Sequence, residues 1–216
     1  MRNRKEFSAT RNITRLFAAS TVTAAAGAAI WLVASLAAAQ PAHRSWRIGE
    51  APPQVRDSVS RADLVIVAMQ DAVLRELTSA LASGDTASAL AFCHVDAGAA
   101  ARRIAAAEHV AAGRTSDRLR NPANAPRPWA AALVAANAGK RSKDVDGFVV
   151  DLGDRIGVLR PISQRAMCAA CHGPADAIAP EVRTAVARRY PTDRATGFNE
   201  GEIRGWFWVE MPLTPR

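Results

Sequence analysis

The chain has 216 residues, 49% of them hydrophobic, a formal net charge of +8 and three cysteines. About half of that charge falls in the first 39 residues, and the remainder holds no basic block or arginine–aromatic stripe, which argues against a nucleic-acid partner. There is also no internal repeat and no glycine-rich phosphate loop.

At the N-terminus, Arg2, Arg4, Lys5, Arg11 and Arg15 form a basic stretch, and a charge-free apolar run follows from Leu16 to Ala39. Ala37-Ala38-Ala39 supplies a small-x-small cleavage site before Gln40 and Pro41. Residues 1–39 therefore read as a secretory signal peptide and place the protein in the periplasm. The run is nearly long enough to span a bilayer, so the alternative is an uncleaved anchor in the inner membrane. The basic stretch has no Arg-Arg pair, against the twin-arginine route. Residues 40–56 are expected to be linker, leaving 57–212 as one domain large enough for its own core.

Residues 57–82 predict an amphipathic helix with Leu64, Val67, Leu74, Leu77 and Leu81 on its apolar stripe. Ser83-Gly84-Asp85 breaks it, and a second helix is expected from about Thr86 to Ala111, completing a helical hairpin. Cys93 and His94 lie on or beside the inner face of that second helix. Gly113-Arg114-Thr115-Ser116 is expected to end it, and Asn121 to Pro128 is a proline-rich turn. Trp129 to Ala138 reads as a short helix. Lys140, Arg141 and Lys143 form a short basic run of solvated-loop character. Phe148-Val149-Val150 and Ile156 to Leu159 read as a hairpin turning near Gly153-Asp154.

Cys168-Ala169-Ala170-Cys171-His172 has the C-x-x-C-H spacing of c-type haem attachment. Two thiols at this spacing can add to the two vinyl groups on one edge of the macrocycle, while the adjoining imidazole reaches the iron. A zinc site would want a second ligand pair at similar spacing, which the sequence lacks. A haem-free dithiol protein exchanging through Cys168 and Cys171 is another reading, but it leaves His172 without a role. Export and C-x-x-C-H agree, because c-type haem is attached outside the cytoplasm. With two cysteines in thioethers, Cys93 is left over. It is either a buried core thiol or the sixth iron ligand, and the residues alone leave both open. A helix over Pro180–Arg189 and a strand over Arg204–Met211 complete an α+β pattern.

Taken in order, several segments resemble the Tll-type periplasmic c-haem domain family. They are Gly113-Arg114-Thr115-Ser116, Arg120-Asn121-Pro122-Ala123-Asn124-Ala125-Pro126 with Trp129, Cys168 to Gly173, Tyr190-Pro191-Thr192-Asp193, Ala195 to Phe198, and Gly201 to Gly205. The resemblance implies a PAS-like antiparallel sheet flanked by helices, and one haem c with six-coordinate iron between His172 and a cysteine from the N-terminal helical region. Cys93 stands at that cysteine's position. Two departures matter: His94 adjoins Cys93 and could compete for the iron, and Ala130 stands where an acidic residue is expected after Trp129. Met69, Met211, His43 and His109 are weaker ligand candidates. Arg114, Arg120 and Asn124 are candidates for the haem propionates, with turn or surface roles as the alternative.

A thiolate opposite imidazole lowers the reduction potential, and a filled coordination sphere disfavours enzymatic turnover. The expected function is electron transfer or redox and gas sensing, with a redox partner protein or a separate signalling partner. The alternative is a peroxidase-like enzyme with an open distal site and His94 as acid–base group.

Overall fold

A computed structural model describes residues 43–82, 99 and 101–213. Among them are five strands: β1 (Ser45–Arg47), β2 (Ala111–Thr115), β3 (Phe148–Asp151), β4 (Arg155–Ser163) and β5 (Ile203–Pro212). They form one antiparallel sheet in the order β1-β3-β4-β5-β2. The helices are α1 (Arg56–Ala82), α2 (Pro128–Ala136), the single turn α3 (Ala169–His172) and α4 (Pro180–Arg189). Residues 101–107 are also helical. The class is α+β, as expected.

Helices cover both faces of the sheet, so its long strand reads as an almost continuous buried run rather than an alternation. Along β5, Phe207, Val209 and Met211 meet α1, whereas Trp206 and Trp208 turn to the opposite face and meet α2. On β4, Ile156 and Val158 face α1, while Leu159 faces α2. The α2 layer is seated by close backbone approach. A Cβ at Gly157 would stand 2.8 Å from the Trp129 ring, and one at Gly113 would stand 2.8 Å from Trp208. Two indoles thus occupy space that any side chain at those strand positions would fill. Glu210 closes this layer, accepting from Arg127 Nε at 2.8 Å and Trp129 Nε1 at 2.9 Å. Ala130, on the buried face of α2, is fully buried, a position where an unpaired acidic side chain would be costly.

Helix α1 lies where the sequence predicts it, but its buried stripe does not. The sheet takes Val59, Ala62, Val65, Ile66 and Met69, and leaves Leu64 71% and Val67 54% exposed. Leu74 and Leu77 are half-buried. A two-pronged contact fixes the helix's rotation, since Arg160 on β4 meets the Asp63 carboxylate at 2.8 and 2.6 Å.

Two further expectations are corrected. The stretch expected to be linker contributes β1, which pairs with β3, and Ala51, which is buried in the α1 core. The segment Ala111–Thr115, expected at the end of a helix, is instead the edge strand β2. The helix stops at His109, whose φ of 54° is left-handed. Val110 N–H bonds to the Ala105 carbonyl at 2.9 Å and His109 N–H to the Ala106 carbonyl at 3.2 Å. This is the paired C-terminal closure that normally selects glycine.

Candidate functional site

The cysteine-histidine motif begins in a 3-10 turn over Ala166–Cys168 and continues into α3. A single tight turn brings Cys168, Cys171 and His172 to the wall of one cavity. The turn needs glycine at its end. Gly173 is buried, its N–H bonds to the Ala169 carbonyl at 2.9 Å, and a Cβ there would stand 2.7 Å from that same oxygen.

The cavity opens to solvent on one side. Its apolar wall includes Val73 and Leu77 of α1, Leu119, Ile162 and Met167. Its polar side includes Arg114, Arg120, Asn124 and Arg204. The sequence-predicted residues Cys168, Cys171, His172, Arg114, Arg120 and Asn124 therefore converge on one space. Cys93 and His94 lie outside the described residues. Met69 and Met211 sit instead in the core between α1 and the sheet, His109 closes a helix, and His43 is exposed.

His172 Nδ1 is 2.7 Å from the Ala195 carbonyl oxygen. A carbonyl can only accept, so Nδ1 carries the proton and Nε2 keeps the lone pair that a metal ligand needs. Burial holds the imidazole's pKa well below 6.5, and the charges of Arg204, Arg120 and Arg114 push the same way against the opposing Ala195 bond. The ring is thus held neutral.

Arg120 is committed to the site's framework. It meets Asp193 through Nε at 3.2 Å and through a terminal nitrogen at 3.1 Å, and that nitrogen also donates to the Cys171 carbonyl at 2.6 Å. Asp193 in turn accepts the Ala195 N–H at 2.9 Å. Sequence reasoning missed Asp193, Phe198, Glu202 and Arg118 as site residues. Phe198 packs edge-on to the His172 ring at 6.4 Å between centroids, and Arg118 lies 3.5 Å over the Phe198 ring.

The family description Tll0287-like matches residues 34–212. The chain belongs to this family. Among solved structures, it is similar to the one described as the crystal structure of the cyanobacterial heme-protein Tll0287, with 24% sequence identity and a TM-score of 0.53. That alignment covers 77% of this chain and 99% of the other, and establishes a shared fold. No curated protein matches.

The residues present fit a haem. Two thiols and an imidazole with an available Nε2 share one turn, and the cavity pairs an apolar wall with cations, as a flat apolar group bearing two carboxylates requires. No described helix is long and apolar enough to cross a membrane.

Proposed function

We propose that this is an exported c-type haem protein in which Cys168 and Cys171 hold one haem c covalently and His172 binds its iron. The observation that carries this reading is the His172–Ala195 bond, which fixes the tautomer a ligand histidine needs at the wall of a cavity also reached by both motif thiols. The solved relative's description as a heme-protein supports it. Such a group supplies one-electron redox chemistry and, when a ligand leaves, a position for a diatomic gas. The chain's own residues orient His172, shield the site with the α1 side chains Val73 and Leu77, and offer Arg114 and Asn124 to the propionates. Arg120 acts one step back, tying the Cys171 carbonyl to the Asp193 loop.

As a second protein ligand for the iron we propose Cys93, the cysteine that the family resemblance would supply. Thiolate donation favours the ferric state, so the potential is low. The protein works in electron transfer or in redox and gas sensing, with a redox partner protein or a separate signalling partner. It resides in the periplasm, either released by cleavage after residue 39 or held at the inner membrane by residues 16–39.

Ferric and dithionite-reduced absorption spectra test the ligand set, using protein exported with the cytochrome c maturation machinery. The expected ferric spectrum is low-spin with thiolate character, lost in Cys93→Ala together with a rise in reduction potential. An unchanged spectrum and potential in Cys93→Ala would exclude the thiolate. A high-spin ferric spectrum with peroxide turnover would point instead to an open distal site with His94 as acid–base group.

A further inference from the structure

The segment that carries the histidine's hydrogen-bond acceptor is itself gripped by a side chain from another part of the chain. Arg118 follows β2, and one of its amino groups donates to the carbonyls of Thr196 and Gly197, each at 3.1 Å. Its other amino group binds the Glu202 carboxylate. Glu202 is buried and also accepts the Asn199 N–H at 3.0 Å. The Arg118 guanidinium carbon lies 3.5 Å from the centroid of the Phe198 ring, and the Phe198 and His172 rings meet in a T-shaped contact. Backbone bonds complete the enclosure. Phe198 N–H bonds to the His172 carbonyl at 3.0 Å, and Gly197 N–H bonds to the Gly173 carbonyl at 2.7 Å. Ala195, whose carbonyl holds Nδ1, is thus one residue from the first carbonyl that Arg118 grips.

We propose that Arg118, Phe198 and Glu202 form a positioning clamp for His172, which holds the Ala195 carbonyl on Nδ1 and sets the plane of the imidazole. The inference rests on His172 being the iron ligand and adds the device that tunes it. Hydrogen bonding at Nδ1 makes the imidazole a stronger donor, and stronger donation favours the ferric state. Arg118 therefore lowers the potential through geometry. Its positive charge would have the opposite effect if it acted on the iron directly, because a nearby cation disfavours the more positive oxidation state.

The two roles predict opposite signs. With haem-loaded full-length protein, Arg118→Ala is expected to raise the midpoint potential and shift the low-spin ferric electron-paramagnetic resonance signature. Phe198→Leu, which alters no charge, should move both in the same direction. Arg118→Lys keeps the charge but loses the two-sided grip on the Thr196 and Gly197 carbonyls and the Glu202 carboxylate, and should resemble Arg118→Ala. A fall in potential in Arg118→Ala, with no shift in Phe198→Leu or Arg118→Lys, would overturn the clamp in favour of simple charge. Unchanged potential and spectrum, with only a lower melting temperature, would overturn it in favour of a purely structural role. If the wild-type chain carried no haem, the functional reading would fail on its own. Nitrogen-15 resonances of His172 in the haem-free chain would then decide the clamp: a single Nδ1–H tautomer in wild type that becomes mixed in Arg118→Ala supports it, and no difference refutes it.

Discussion

At the scale of single residues, the site depends on one small side chain that the haem spacing does not include. Gly173 follows the histidine, and its missing Cβ allows the turn to close on the Ala169 carbonyl. Gly173→Ala forces the turn open, with an expected cost of about 1–3 kcal/mol, in the range of overpacking a tight site. The melting temperature of the purified variant and its yield of covalent haem should both fall. The convergence of Cys168, Cys171 and His172 on one cavity wall was legible in the sequence because the three lie within five consecutive residues, so the candidate site is written as a contiguous word. The supports were not legible, because they are distant in the chain. Arg120 finds Asp193 across 73 positions and Arg118 finds Glu202 across 84. No local spacing marks such pairs, and only the folded sheet brings them together.

At the scale of elements, α1 shows why a helix can be placed correctly and rotated wrongly. Its sequence carries two apolar stripes, and counting leucines selects the one with Leu64 and Val67. The sheet selects the stripe with Ala62, Val65, Ile66 and Met69, with Arg160 and Asp63 setting its rotation. Ile66→Ala should therefore cost about 2–5 kcal/mol, whereas Leu64→Ala should lie within about 0.5 kcal/mol of wild type. Urea unfolding of the two variants checks the assignment, and equal losses would reverse it.

Strand β2 was hidden for a different reason. Ala111-Ala112-Gly113-Arg114-Thr115 is poor in strand-forming side chains, and its alanines continue the composition of the preceding helix. It is a strand because β5 pairs with it and Trp208 covers the bare backbone of Gly113. The helix before it ends on His109, a left-handed position where a side chain costs roughly 1–2 kcal/mol that glycine avoids. His109→Gly is thus expected to raise the melting temperature, which thermal unfolding would record directly; a fall would mean that the His109 side chain contributes more than its backbone costs.

Across the whole molecule, the sheet is a platform with two different faces. The α2 face is closed by indoles packed on glycine. On the α1 side, the last turns of α1, the segment leaving β2 and the motif turn α3 stand apart far enough to leave the cavity between them. The five strands hold these three elements at fixed spacing, and Arg118 and Arg120 link the segment after β2 to the loop between α4 and β5. The overall α+β class was legible because the hairpin of β3 and β4 and the terminal strand β5 carry strong strand patterns. The cavity was not, since it arises from where those elements stop.

Everything proposed for this protein depends on Cys168 and Cys171 holding a haem beside His172. Intact mass measured after co-expression with the cytochrome c maturation machinery tests it most directly. The expected mass is that of the processed or full polypeptide plus one haem, reverting to polypeptide alone in the Cys168→Ala/Cys171→Ala double variant. A wild-type mass equal to the bare polypeptide under those conditions would contradict it and return the two thiols to exchange chemistry.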